Sequence, residues 1–110
     1  MTPQYAITRD GASNGTVRLE LAGEFDLASA DELRQALRQA IETEKAAQIY
    51  VDLARTTFID SQTLAALMWG HDAAHKMGSR LTVLHPHGLV HKVLEVTGVL
   101  EHLVDSSQIA

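Results

Sequence analysis

Residues 58–68 read "FIDSQTLAALM". β-Branched and aromatic residues give way at once to a helical spacing of apolar ones, with Asp60-Ser61-Gln62-Thr63 at the joint. A strand that runs straight into a helix is the repeating unit of α/β folds with parallel strands. The joint also poses a chemical question. Asp60 or Ser61 can cap the helix, its side-chain oxygen accepting a bond from an amide two or three residues on. Alternatively, the Ser61 hydroxyl is displayed on the rim of a sheet, beside the positive end of a helix that tolerates an added phosphate. Such a phosphate would bring about −1.5 to −2 charges next to Asp60 and repel a docked partner.

Upstream of the joint, "QIYVDLA" alternates Ile49, Val51 and Leu53 with Tyr50 and Asp52, the period-2 pattern of a strand. Downstream, Leu64, Leu67, Met68, His71 and His75 share one helical face, and Gly78 is placed to cap the C-terminus. "RLTVLH" is a further short strand. Pro86 and Gly88 break the chain before Leu89, Val90, Val93, Leu94 and Thr97, a third amphipathic helix that ends at Gly98. Leu100, Leu103 and Val104 suit a short last helix.

Toward the N-terminus, "QYAITRD" and "TVRLELAG" are alternating strands, and Asn14-Gly15 between them favours a hairpin. Ser29 with Glu32 three residues later has the form of a capping box. Leu33, Ala36, Leu37, Ala40 and Ile41 then make one apolar stripe, running to about residue 44. Turn-prone residues gather at 10–16, a loop, and at 104–108, a frayed end. The order β-β-α-β-α-β-α-α predicts an α/β domain spanning residues 1–110. Its sheet is mixed, with four to five strands, an antiparallel N-terminal hairpin and parallel β-α units, and the helices pack on it.

Composition narrows the function. A chain of 110 residues buries roughly 65% of its unfolded surface, enough for one core. It holds no cysteine, which rules out a disulfide framework or thiolate metal site and agrees with a cytoplasmic location. No apolar run approaches the roughly 18 residues of a membrane span, and the N-terminus lacks a basic region followed by an apolar stretch. A net charge of −5 argues against general nucleic-acid binding and is compatible with a basic protein partner.

Catalysis is not expected. A nucleophile elbow needs glycine on both sides of its serine, where this chain has Ile59 and Thr63. No phosphate-binding glycine loop or dinucleotide fingerprint occurs. His71 and His75 have the i,i+4 spacing of two metal ligands, but no Glu follows His71 as in the zinc protease motif, and paired helical histidines are more often packing residues. Neither a metal nor another cofactor is expected. Trp69 lies with Ala65 and Ala73, rotated away from the Leu64-Leu67-Met68 face. It is either a core residue or an aromatic anchor for a partner.

Three runs, "LAGEFDLASADELRQAL", "IYVDLARTTFIDSQTLAAL" and "GSRLTVLHPHGLVHKVLEVTGVLEHL", resemble the STAS domain of the anti-sigma factor antagonist family, in the right order over about residues 16–104. The aspartate-serine pair between an apolar strand and an apolar helix is the most diagnostic match, supported by "GEFD" and "TGV". The resemblance implies a phosphorylation switch in bacterial transcription. The unmodified protein binds an anti-sigma factor that is often a serine kinase, and so frees a sigma factor. Phosphorylation breaks the complex, and a PP2C-type phosphatase restores it. Ser61 is then the phosphoacceptor, Asp60 its motif neighbour, and Asp26 the acidic residue on a nearby loop, while Gln62, Thr63 and Trp69 complete the partner-binding set. The family pattern Asp-Ser-Ser-Gly-Leu is altered here, since Gln62 and Thr63 stand at its third and fourth positions. The alternative is a relative that is not phosphorylated, such as an accessory subunit of a lipid-transport ATPase. A monomer or weak dimer is expected.

Overall fold

The structure, a computed structural model, describes residues 4–10 and 15–104. The hairpin turn at Asn14 and, of the frayed end expected at 104–108, residues 105–108 lie outside the described residues. Strand β1 (Tyr5–Asp10) pairs antiparallel with β2 (Thr16–Phe25), and β2 leads into helix α1 (Leu27–Arg38), which continues as a π-helical turn at Gln39–Thr43. Then follow β3 (Gln48–Ile59), α2 (Ser61–Lys76), β4 (Arg80–Leu84), α3 (Gly88–Val96) and α4 (Leu100–Leu103). The sheet has four strands in the order β1-β2-β3-β4, and both the β2–β3 and β3–β4 pairs are parallel. The mixed sheet expected from the element order is thus the observed one.

Two successive right-handed crossovers stepping the same way across a sheet put both helices on one face. Accordingly α1 and α2 pack on each other. Beneath them lies one core containing Val17, Leu19, Leu21, Phe25, Ile49, Val51 and Leu53 from the strands, and Leu33, Leu37 and Leu67 from the helices. The alternation read in the strands is the alternation observed.

The helices differ from the sequence reading in two places. The capping box of α1 is built by Asp26 and Ser29, three residues upstream of the Ser29-Glu32 pair. Asp26 accepts from the Ser29 amide at 3.3 Å, and Ser29 Oγ accepts from the Asp26 amide at 2.7 Å. The physical reason is proximity: β2 ends at Phe25, so the helix begins one residue beyond, and Ser29 is already fully buried in its first turn. In α2 the core face is Thr63, Ala66, Leu67, Gly70 and Ala74, whereas Leu64, Met68 and His71 are partly buried and His75 is exposed. Small side chains on this face let α2 approach α1 closely, so close that a Cβ on Gly70 would stand 2.9 Å from Leu37 Cδ1 and 3.1 Å from Leu81 Cδ1. The helix end is as read: the Gly78 amide bonds His75 O and the Ser79 amide bonds Ala74 O, closing a Schellman motif with Gly78 at φ +76°.

The opposite sheet face is polar. Pairing slips between Glu20/Ala22 and their partners on β3, and Asp52, 5% exposed, accepts from the Ala54 amide at 2.9 Å in that irregular stretch. Its other partners are Arg18 and His85 Nδ1, the latter at 3.1 Å. Burial alone pushes the Asp52 carboxyl up, but the Ala54 amide, Arg18 and His85 together outweigh it and hold the group below the usual carboxylate range.

Gly70→Val should cost about 1–3 kcal/mol in chemical denaturation, because two branches must be forced against Leu37 and Leu81. A folded-state value below the unfolded one means that Asp52 adds stability above the ordinary carboxylate range, and that this is lost as pH falls through the folded value. Urea midpoints measured below about pH 5 should therefore fall less steeply in Asp52→Asn than in the natural chain.

Candidate functional site: two helix caps on one rim

Parallel pairing carries the C-terminal ends of β2 and β3 to the same edge of the sheet, with Phe25 opposite Ile59. The Asp60 amide bonds Phe25 O at 3.1 Å, joining the two strand exits directly. One residue past each exit stands an aspartate cap, Asp26 for α1 and Asp60 for α2. The two sites named from sequence on separate segments are therefore neighbours across one backbone hydrogen bond.

At the second cap the question posed by "DSQT" has a definite answer. Asp60 Oδ1 accepts from the Thr63 amide and from Thr63 Oγ1, both at 2.9 Å. Asp60 is the cap, and the Ser61 hydroxyl takes no part in it. Ser61 and Gln62 are the first two helical residues and both are exposed, on the outer side of the turn. Thr63 is fully buried. Its methyl and hydroxyl lie beneath the rim, so its effect on any docked partner passes through Asp60, whose carboxylate it clasps. Unpaired first-turn amides and the helix dipole make the position of Ser61 tolerant of an anion.

Trp69 stands eight residues beyond Ser61, about 12 Å along the helix axis. It is partly buried against the core on the side facing α1, with the Arg38 guanidinium 5.3 Å from the ring centroid. Two apolar residues that the sequence reading did not single out flank the caps. Leu27, next to Asp26, is 66% exposed, and Phe58, two residues before Asp60, is 38% exposed. Phe58 pairs with Glu24 on β2, next to the inward-facing Phe25–Ile59 pair. The signal that could have found them is positional: each is a large apolar side chain adjoining a helix-capping aspartate at a strand exit. Among the described residues, no group of three or more His, Cys, Asp or Glu is placed to hold a metal ion, and no helix is long and apolar enough to cross a membrane.

These features define a small α/β module that presents two helix N-termini, two carboxylates and an exposed serine on one rim. A family model described as "Mlab, STAS domain" matches residues 8–105, and the chain belongs to that STAS family. The chain is similar to an anti-sigma F factor antagonist of Paenibacillus polymyxa, 24% identical over 87 residues that span 79% of this chain and 74% of the relative. Among solved structures it resembles the unphosphorylated anti-sigma factor antagonist SpoIIAA, with a TM-score of 0.81 at 23% identity, covering 92% of this chain and 88% of that one. The phosphorylated form of SpoIIAA from Bacillus gives a TM-score of 0.75 at 22% identity, with 91% and 89% covered. A sulfate transporter family protein from Wolinella succinogenes gives 0.74 at 21% identity, with 90% and 79% covered. At these identities the structural likenesses establish the fold alone.

Asp60→Ala should destabilise the protein by about 0.5–2 kcal/mol through loss of the cap, with an added cost for the stranded buried Thr63 hydroxyl. Ser61→Ala should stay within about 0.5 kcal/mol of the natural chain, since the hydroxyl is exposed and outside the cap. Thermal and urea unfolding of the two variants separate these outcomes.

Proposed function

We propose that this chain is a phosphorylation-switched antagonist of an anti-sigma factor in the bacterial cytoplasm, and that it acts by binding rather than by catalysis. In its unmodified form it docks on an anti-sigma factor with serine kinase activity and thereby frees a sigma factor. The kinase phosphorylates Ser61 and releases it, and a PP2C-type phosphatase resets it. The observation that carries this reading is the division of labour at the joint: Asp60 and Thr63 close the cap, and Ser61 is left exposed beside it. Phosphorylation at that place leaves the fold's own hydrogen bonds intact. Asp26, Leu27, Phe58, Asp60 and Gln62 surround it as contact residues, apolar groups among acidic ones, suited to a partner with basic and apolar side chains.

Magnitudes constrain the switch. Turning a mostly bound complex into a mostly free one takes a change of about 10² to 10⁴ in affinity, roughly 2.7–5.5 kcal/mol. Burying an unpaired charge in an interface costs about 2–5 kcal/mol, enough if Ser61 lies within the contact. A phosphate left in water outside it would be screened within about 8–10 Å and would not suffice. A second reading, an accessory STAS subunit that is not phosphorylated, such as one serving a lipid-transport ATPase, draws on Gln62-Thr63 standing where the family pattern has serine and glycine. That reading uses the same rim for docking.

Incubation with ATP and candidate serine kinases, followed by mass spectrometry, should place the phosphate on Ser61. Ser61→Asp should bind the anti-sigma factor at least about 100-fold more weakly than Ser61→Ala. A chain that stays unmodified, with both variants binding alike, would favour the accessory subunit.

A further inference from the structure

A second polar site lies at the other end of α2. A cavity of about 290 Å³ opens between α2, β4 and α4. His75, on its wall, stands roughly 21 Å along the helix from Ser61. His71 and His75 reach the cavity from successive turns of α2, His102 from α4 and Arg80 from the start of β4. His75, Arg80 and His102 are exposed, so their donors are available to a solute. The buried Thr82 also lines the cavity; its Oγ1 accepts from Gln48 Nε2 at 3.2 Å, which leaves its own proton to donate.

The chemistry of these groups selects the ligand. They do not converge tightly enough to coordinate a metal ion. The His71 and His102 rings meet edge to face with centroids 6.4 Å apart, so an oxyanion sits beside the pair in the cavity, accepting bonds of about 2.7–3.0 Å from nitrogen donors on its wall. Among the described residues, the opposing charges are Asp72, 3.4 Å from His71 Nδ1, and Glu101 on the cavity wall. Arg80 makes no ion pair with a carboxylate among the described residues, so its charge is not already spent on one.

We propose that this cavity binds a phosphate group, held by His71, His75, His102 and Arg80. Arg80 carries its charge throughout the physiological range, and the three imidazoles supply ring N–H donors. The site is independent of the Ser61 switch, being built from different residues at the opposite rim. A phosphate monoester in solution and an anionic lipid headgroup present the same chemistry.

The test is a titration of the full chain with inorganic phosphate in about 150 mM sodium chloride, so that simple screening is already present. The histidine ring resonances are followed through the titration. Saturable shifts of His71, His75 and His102 are expected with a Kd of about 1 mM or tighter. Arg80→Gln and His102→Asn alter exposed side chains, and each should weaken binding about tenfold or more while Tm is unchanged. Sedimentation with phosphatidylcholine vesicles, with and without phosphatidic acid, assigns the source. Capture by phosphatidic acid alone, lost in Arg80→Gln, identifies a headgroup, whereas phosphate binding without capture identifies a soluble phosphate compound. Shifts that do not saturate, or that persist unchanged in both variants, overturn the proposal.

Discussion

One hydrogen bond organises the functional end of this molecule, the one from the Asp60 amide to Phe25 O. It exists because β2 and β3 run parallel and in a register that sets Phe25 against Ile59. Parallel strands deliver their C-terminal ends to one edge, and each strand here turns into a helix with a single residue between. Two caps, two helix dipoles and two carboxylates are therefore fixed side by side by the backbone alone. An antiparallel arrangement would have put them at opposite edges, and the surface around Ser61 would not exist.

The close packing behind the rim serves the same arrangement. Thr63 is both a core residue of α2 and the clasp of its cap, so the first turn of the helix is tied to the interior as well as to Asp60. Gly70 and its small neighbours Ala66 and Ala74 bring α2 down onto Leu37 and Leu81. The exposed hydroxyl thus rides on a rigid platform.

Much of this was legible in the chain itself. Period-2 alternation marked Val17, Leu19 and Leu21, and Ile49, Val51 and Leu53, as inward-facing, and the stripe from Leu33 to Ile41 marked the buried side of α1. The pattern failed where apolar bulk ceased to track burial. In α2 the core face is made of alanine, glycine and threonine, so bulk pointed to Leu64 and His75 when closeness of approach had selected the small residues. At α1, Ser29 and Glu32 had the form of a capping box, but the strand's exit at Phe25 set the cap at Asp26. Sequence singled out Asp26, Asp60 and Ser61. It could not join them, because their adjacency is a matter of strand register, and Leu27 and Phe58 escaped it because apolar bulk ordinarily signals core and only their place near a capping aspartate marks them as outward-facing.

Hydrogen exchange of the chain, alone and with the anti-sigma factor proposed as its partner, tests the account most directly. Slowed exchange is predicted in the opening turns of both helices, residues 27–30 and 61–64, together with the end of β3. Protection confined to other surfaces, with the turn around Ser61 exchanging as fast as in the free protein, would contradict it.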